Sequence, residues 1–270
     1  MSYLLARTAA DHDRQRIEAR AWEPATGRLL DYVELARGDR CLDARCGPGE
    51  TMRLMAQRVG PTGHVTGIDV DAAIGEHAIG MLHAAGHRQC NFALVDLATE
   101  HAIPGAPFDL VYARLLFMRV TDPVAVVRRL WDAVARGGHL VIQDYDVRTI
   151  DVAPPLEPVS EFRRVFIDTI TAAGRRPDVG HQLPLLLAQA GVGAPDGTDV
   201  AGRLESLSNL GPEFADMYRA MLPAADSLGI TTAERGERDL EELVRDVALY
   251  PDYVALSPLL IGVWKQKVPA

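Results

Sequence analysis

The sequence predicts an α/β fold built around a mostly parallel sheet, and three observations support this prediction. Short apolar, β-prone runs alternate with helical patterns between Asp39 and Tyr145, which is typical of consecutive βαβ units. Each of the three helical patterns in this stretch ends in glycine, a residue common at helix C-termini. The chain has 270 residues, 48% of them hydrophobic, so it can bury a sizeable core.

Five strands and three helices are expected in this part of the chain. The predicted strands are RCLDA, HVTGIDV, CNFALVD, FDLVYA and HLVIQDY, and the predicted helices are ETMRLMAQRVG, AAIGEHAIGMLHAAG and DPVAVVRRLWDAVARGG. Right-handed crossovers would bring the loops that follow the strands to one edge of the sheet. Ligands bind at this edge in open α/β folds.

The alternation breaks beyond Asp151. The segment APPLEPVS is expected to be a connection, EFRRVFIDTITAAG and GHQLPLLLAQAG helices, TDVAGRLES a strand and LSPLLIGVWKQ the last strand. Apolar residues at helical spacing predict two more helices, over 214–225 and 240–248, and Pro223 should kink or end the first.

These patterns divide the chain into three parts. We expect residues 1–38 to be a helical segment belonging to a cap, 39–150 to be the ligand-binding core, and 151–270 to complete the sheet while adding cap helices. Trp22, Tyr218, Met217 and Met221 could roof an apolar site in such a cap, or could be ordinary core. The same aromatic and methionine stripe could instead serve a homodimer.

Composition excludes several classes of protein. The net charge of -9, with no Lys/Arg run longer than a pair, argues against nucleic-acid binding. Cys41, Cys46 and Cys90 lack the spacing of a metal site or a disulfide framework, so we expect no metal and a reducing, cytoplasmic environment. No apolar run approaches the roughly 20 residues that span a bilayer, and no membrane partner is expected.

The most informative stretch is CLDARCGPGE, Cys41 to Glu50, in which a strand pattern runs into a glycine-rich turn. A dinucleotide-binding loop would carry a third glycine where Met52 stands, and Glu50 would oppose a pyrophosphate at the helix N-terminus. A P-loop is also absent, since no G-K-[ST] follows. The remaining ligand class is a nucleoside without phosphate, and S-adenosylmethionine fits it.

Three acidic residues stand where this ligand needs hydrogen-bond acceptors. Asp69 ends the second predicted strand, 20 residues after Gly49, and is placed like the ribose-binding acid of nucleotide folds. Asp43 could accept from the ammonium group and Asp96 from the adenine amino group. The loop also contributes Cys46 as a candidate contact.

The chain resembles the class I S-adenosylmethionine-dependent methyltransferases, in particular bacterial small-molecule enzymes of the ubiquinone/menaquinone methyltransferase type. The residues that carry the resemblance are CLDARCGPG, GIDVD, VDL, FDLVYARLLFMRVTDP and RGGHLVIQDYD, in the family's order. The resemblance implies a Rossmann-like seven-stranded sheet with helices on both faces and a final antiparallel strand. It implies cofactor contacts at Asp43, Gly47, Gly49, Asp69, Val70, Asp96 and Leu97, and a sulfonium lined by Ala113 to Phe117, including Arg114.

Arg45 departs from the family pattern, which usually has glycine at this position because the backbone passes close to the methionine portion of the cofactor. Three interpretations stay open. The side chain could point away from the ligand, form an ion pair with the cofactor carboxylate through its planar guanidinium, or weaken the site. The sequence alone does not choose among them.

The chemistry expected is transfer of a methyl group to an O, N or C atom of a small metabolite. Such a displacement depends mainly on alignment and on the exclusion of water. Asp144 and Asp146 are candidate bases, with structural capping as the alternative, and Arg114 could orient an acidic substrate. The alternative functions are a non-methylating cyclisation or rearrangement at the same cofactor, a non-catalytic binding protein and, last, an NAD-dependent reductase.

Overall fold

The computed structural model describes residues 16–17, 19–100 and 102–268. The chain folds as two compact units. The larger comprises the described residues up to Asp144, Gln182–Asp199 and the residues from Ile261 onward; the smaller comprises Tyr145–His181 and Val200–Leu260.

The main sheet has seven strands in the order β3-β2-β1-β4-β5-β10-β7. Neighbouring strands from β3 to β5 pair in parallel. The backbone N–H of Gly137, near the start of β5, donates to the carbonyl of Lys267, just beyond the end of β10, so β10 runs antiparallel to β5. The seven-stranded, mostly parallel sheet is therefore confirmed. The strands are β1 (Arg40–Ala44), β2 (His64–Asp69), β3 (Cys90–Leu94), β4 (Phe108–Arg114), β5 (Val134–Asp146), β6 (Asp151–Ala153), β7 (Gly197–Ala201), β8 (Leu204–Ser206), β9 (Val254–Leu256) and β10 (Leu259–Gln266).

Local sequence explains where the helices of the larger unit begin. The Asp71 carboxylate accepts hydrogen bonds from the N–H groups of Ala73 and Ile74, and Asp122 caps the next helix ahead of Pro123; such caps satisfy N–H groups that have no partner within the helix. The helices are α1 (Glu23–Tyr32), α2 (Glu50–Val59), α3 (Ala72–Ala84), α4 (Pro123–Asp132), α5 (Glu157–Ala172), α6 (Val179–Gln189), α7 (Leu207–Ser227) and α8 (Ala233–Leu249).

Several predicted element boundaries are wrong. The segment APPLEPVS was expected to be a connection, but α5 begins within it at Glu157. Helix α4 ends at Asp132 rather than at the glycine pair, and β5 begins at Val134. Gly138 lies within this strand and not at a helix end. A Cβ at this position would lie 2.6 Å from the carbonyl oxygen of Asp109, so only glycine permits the close approach of the two strands. Of the two effects expected of Pro223, it does not end its helix, since α7 continues to Ser227, and a kink at this residue stays a prediction.

The smaller unit contains a second sheet that the sequence did not reveal. Strands β6, β9 and β8 form an antiparallel three-stranded sheet. The single strand predicted at 198–206 is two strands, β7 and β8, which belong to different sheets. Strands of three residues are too short to show an alternating pattern.

Helices α5, α7 and α8 pack around an aromatic cluster in the smaller unit. The Phe162 ring contacts those of Phe166, Phe214 and Tyr218, with ring centroids 5.5 to 5.7 Å apart. Tyr218 and Met221 are buried, so these two belong to the core of this unit. Within the described ranges, no helix is long and apolar enough to cross a bilayer.

The strand order fixes where a ligand site is expected. The chain runs from β1 outward to β3 and then returns to place β4 on the other side of β1, so the order reverses between β1 and β4. In open α/β sheets, ligands bind beside the carboxyl ends of the strands at this reversal. Ala44 pairs with Ala113 at this edge, so Arg45 and Arg114 follow at the same level.

Candidate functional site

The loop after β1, residues 45–49, is held against the end of β2. The N–H groups of Arg45 and Cys46 donate to the Ile68 carbonyl at 2.8 and 2.9 Å, and the Gly47 N–H donates to Oδ2 of Asp69 at 3.1 Å. Gly49 then begins α2 with a φ of 80°, a conformation that glycine adopts without strain. These bonds fix the loop backbone without any ligand.

A pocket opens between this loop and the end of β4, entirely within the larger unit. Two of the three described non-glycine residues with positive φ, Arg45 at 77° and Leu115 at 55°, lie in its wall. Backbone held in this region concentrates at functional sites. The lining residues are Ala19, Trp22, Asp43, Arg45, Cys46, Gly47, Pro48, Glu50, Thr51, Arg114, Leu115 and Arg119.

Asp43 is the most perturbed acid in this pocket. Burial raises its pKa to about 7, an effect opposed by Arg114 and Arg45 and reinforced by Asp69. Its Oδ2 atom is buried and has no hydrogen-bond partner among the described residues. A buried acceptor without a donor is costly, so this oxygen is suited to a cationic or hydrogen-bonding ligand.

A buried polar network positions Arg114. One guanidinium nitrogen, Nη1, donates to the Thr26 hydroxyl at 3.1 Å, and that hydroxyl donates to Oε1 of Gln143 at 3.1 Å. Tyr112 also donates to Oε1 of Gln143. Thr26 lies on α1, so this helix helps to hold the guanidinium at the pocket.

Glu50 lies at the first turn of α2 and is already paired. Its carboxylate accepts from Arg20 at 3.0 Å and from Arg53 at 2.9 Å, and Arg53 also forms an ion pair with Glu23. The carboxylate is therefore neutralised by protein groups and favourably placed at the helix N-terminus. These ion pairs offset the negative charge that was expected to oppose a pyrophosphate, so the case against a dinucleotide rests on the missing third glycine, where Met52 stands.

Asp144, a candidate base, accepts hydrogen bonds from the loop that follows β4. The N–H groups of Phe117 and Met118 donate to its Oδ2 atom at 2.7 and 3.3 Å. These bonds anchor the 3-10 turn Phe117–Arg119. They agree with the structural alternative, and a catalytic role for Asp144 stays a prediction.

Asp146, the other candidate base, ends β5 and is ion-paired. Its carboxylate accepts from the Arg148 side chain at 2.6 and 2.9 Å and from the Arg148 N–H at 3.1 Å. Burial favours the neutral form, but these hydrogen bonds outweigh it and hold the pKa of Asp146 below its ordinary value. A low pKa makes a carboxylate a weak base, so its catalytic role also stays a prediction.

Comparison with known proteins identifies the family. A methyltransferase domain model matches residues 35–165. The chain is 33% identical over 190 residues to a trans-aconitate 2-methyltransferase of Variovorax paradoxus, covering 63% of this chain and 70% of that protein. It is 29% identical over 150 residues to the aklanonic acid methyltransferase DauC of a Streptomyces species, covering 55% and 67%. The chain therefore belongs to the class I S-adenosylmethionine-dependent methyltransferases.

The matches differ in how much of each relative they cover. Several other trans-aconitate 2-methyltransferases match over only 42% to 49% of their own length. None of the relatives named here is of the ubiquinone/menaquinone type that the motifs suggested. A solved methyltransferase structure from Bacillus halodurans superposes with a TM-score of 0.58 at 15% identity, covering 91% of this chain and 99% of that one, which supports the fold.

The pocket fits the cofactor of this family, S-adenosylmethionine. The unsatisfied Oδ2 of Asp43 can accept from the ammonium group of the cofactor's amino-acid end. The loop between β1 and α2 carries no phosphate-binding signature, in keeping with a cofactor that has no phosphate. Gly47 and Cys46 line the same pocket.

The structure brings some of the predicted contact residues together in the pocket wall and leaves others apart from it. Asp43, Arg45, Cys46, Gly47 and Arg114 line the pocket. The remainder lie elsewhere at the strand ends or in the core: Gly49, Asp69, Val70, Asp96, Leu97, Ala113 and Phe117. Their contacts with the cofactor stay predictions.

Sequence reasoning missed the polar groups that support the site. Gln143 is buried in β5 and Thr26 in α1, and neither was identified in advance. A lone glutamine inside the apolar run HLVIQDY was an available signal, because a buried polar side chain needs a partner. Arg119, which lines the pocket, carried no comparable signal.

Proposed function

We propose that the protein transfers the methyl group of S-adenosylmethionine to a carboxylate oxygen of a small organic acid. The observation that carries this proposal is that three arginines, Arg45, Arg114 and Arg119, line the pocket. Two acids line it as well, but Glu50 is already paired with Arg20 and Arg53, and Asp43 is assigned to the ammonium group of the cofactor. Guanidinium groups bind carboxylates with matched, bidentate geometry. An anionic acceptor fits such a lining better than a neutral one.

The names of two relatives support the same chemical class. One is named for trans-aconitate and another for aklanonic acid, and both are acids by name. An acid acceptor is also a narrower proposal than the O, N or C acceptor expected from the motifs. A homodimer, a cytoplasmic location and the absence of nucleic-acid partners remain predictions.

A carboxylate acceptor explains why no free base is needed. A small organic acid is already ionised near neutral pH, so its oxygen can attack a methyl carbon without first losing a proton. Asp144 and Asp146 can then keep the structural hydrogen bonds described above. Methylation of a hydroxyl or an amine would instead release a proton and require an acceptor for it.

The chain's own residues would bind and align the reactants. Bound S-adenosylmethionine supplies a methyl group on a sulfonium, already activated for displacement. Asp43 would hold the ammonium of the amino-acid end, and Asp69 fixes the loop through Gly47. Arg114, held by Thr26, would orient the anionic acceptor, and the buried Trp22 would help exclude water.

The test is turnover of purified protein with S-adenosylmethionine and trans-aconitate as the first probe. We expect equal amounts of S-adenosylhomocysteine and of a product about 14 Da heavier than the acid, identified as a methyl ester by mass spectrometry. The trimethyl ester of the same acid is the matched acceptor control and should not react. Arg114→Gln should raise the KM for the acid more than it lowers kcat.

Two results would contradict the proposal. The first is turnover of neutral or cationic acceptors together with no turnover of any di- or tricarboxylic acid in a panel, which would exclude acids as the substrate class. A converted substrate without stoichiometric S-adenosylhomocysteine would favour the non-methylating cyclisation or rearrangement instead.

A further inference from the structure

Arg45 holds a backbone conformation that L-amino acids rarely adopt. Its φ of 77° places it in the left-handed region, where any residue with a side chain is strained and glycine is not. The conformation is fixed because the N–H groups of Arg45 and Cys46 both donate to the Ile68 carbonyl. The loop backbone therefore fixes the direction in which the Arg45 side chain leaves the main chain, beside the pocket that this residue lines.

The Arg45 guanidinium has no protein partner in the described part of the chain. It lines the pocket and is partly exposed, and neither a hydrogen bond nor an ion pair engages it there. Other arginines near the pocket are engaged: Arg20 pairs with Glu50 and Arg114 donates to Thr26. Arg45 thus keeps its hydrogen-bonding capacity for a ligand.

Asp43, two residues earlier, offers the complementary group. Its Oδ2 atom is buried without a hydrogen-bond partner, and the two side chains line the same pocket, where they attract each other electrostatically. Among the described residues, the Asp43 oxygen lacks a donor and the Arg45 guanidinium lacks an acceptor, so the pair is suited to a zwitterion, with an ammonium on Asp43 and a carboxylate on Arg45.

We propose that Arg45 binds a carboxylate in this pocket and, with Asp43, recognises the α-amino acid end of a ligand. The inference rests on the proposed function, which supplies two sources of the carboxylate: the amino-acid end of S-adenosylmethionine and the acid acceptor. The pairing with Asp43 favours the cofactor. Arg45 is then a binding residue at a position where the family pattern has glycine.

Calorimetric titration of the full chain separates the sources. The ligands are S-adenosylmethionine, S-adenosylhomocysteine and decarboxylated S-adenosylmethionine, which lacks the carboxylate, followed by trans-aconitate added to protein saturated with S-adenosylhomocysteine. The variants are Arg45→Gln, Arg45→Lys and Arg45→Gly, and glycine guards against misfolding because it accepts the positive φ. Arg88→Gln, an exposed arginine at the amino end of β3, is the matched charge control.

For a cofactor carboxylate, Arg45→Gln and Arg45→Gly should weaken both carboxylate-bearing cofactors by about 10- to 100-fold and leave the decarboxylated analogue unchanged. Arg45→Lys should retain part of the affinity, because it keeps the charge but loses the planar fork. If Arg45 instead binds the acceptor carboxylate, cofactor affinity should hold while trans-aconitate binding weakens. That result would overturn the shared role with Asp43, because trans-aconitate has no ammonium group.

The inference is overturned if the Arg45 variants lose no affinity for the carboxylate-bearing cofactors and none for trans-aconitate. It is also overturned if removal of the side chain tightens cofactor binding. The titrations with S-adenosylmethionine and its analogues measure binding and do not depend on turnover. Failure of the proposed acceptor chemistry therefore leaves the cofactor titrations interpretable. If Arg45 has no effect, the acid-methylation proposal still has Arg114 and Arg119 in the pocket lining to bind the acceptor.

Discussion

Asp43 and Asp146 are both aspartates buried near the carboxyl ends of strands, β1 and β5, yet their pKa values move in opposite directions. Burial raises the pKa of Asp43 to about 7, whereas hydrogen bonds from Arg148 overcome burial and lower that of Asp146. Within the described residues, the first has an oxygen without a hydrogen-bond partner, whereas the second accepts hydrogen bonds from the side chain and the backbone N–H of Arg148. From this difference we predict that Asp43 binds a ligand and that Asp146 stabilises the fold.

Replacement of Asp43 tests the ligand side of this comparison and should have the largest effect. We expect Asp43→Ala to weaken S-adenosylmethionine binding by about 10- to 100-fold, since a charge-assisted hydrogen bond is lost. Because Oδ2 has no hydrogen-bond partner among the residues that the structure describes, we expect stability to fall less than binding does. Calorimetric titration paired with thermal unfolding measures both quantities. A stability loss as large as the binding loss would make Asp43 a structural residue.

Replacement of Asp146 tests the structural side. Asp146→Asn should lower the free energy of unfolding by about 1–2 kcal/mol, because it weakens a charged hydrogen-bond set; Arg148 is half exposed, and solvent screening limits the effect. Denaturant unfolding gives this value, and turnover per folded molecule should remain near that of the native protein. Turnover slowed by about two orders of magnitude at unchanged stability would instead assign Asp146 a catalytic role.

The pH dependence of stability should distinguish the same two acids. The pKa of Asp43 is raised on folding, so its contribution is favourable at low pH and is lost as pH rises from about 4 to about 7. The pKa of Asp146 is lowered, so its contribution is present above about pH 4 and is lost as pH falls below that. When the free energy of unfolding is measured as a function of pH, Asp43→Asn should reduce its change between about pH 4 and pH 7. Asp146→Asn should reduce its change below about pH 4. Interchanged effects would contradict the assignment.

The smallest expected change concerns the strained loop. Arg45→Gly should raise the free energy of unfolding by about 1 kcal/mol, because glycine adopts the left-handed conformation without strain, and should raise the Tm by a few degrees. Differential scanning calorimetry without ligand measures the gain. Lower stability in the glycine variant would show that the Arg45 side chain packs productively in the ligand-free fold.

The fold of the larger unit could be predicted because its strands and helices carry strong periodic signals. β1 to β5 and the loop Cys46–Gly49 lie where the patterns placed them, with α4 and β5 differing at their shared boundary. The second sheet was missed because β6, β8 and β9 have three residues each, and pairing between segments about 50 to 100 residues apart leaves no local pattern.

The candidate site was predictable only in part, for a related reason. Asp43 and the loop glycines stand out from their spacing, but the state of Asp43 depends on burial that no local pattern encodes. Thr26 and Gln143 are 117 residues apart in the chain and meet through one hydrogen bond. Such a contact is visible only when α1 and β5 are seen packed in three dimensions.

The claim that methyl transfer to a carboxylate proceeds without a base is tested most directly by counting protons. The measurement follows acid release in weakly buffered solution at about pH 6.5, where a carboxylic acid is ionised, alongside S-adenosylhomocysteine formation with trans-aconitate as acceptor. We expect close to zero protons per S-adenosylhomocysteine formed, because an ionised carboxylate has no proton to lose. Release of one proton per turnover would contradict this result, and it would return Asp144 and Asp146 to consideration as bases.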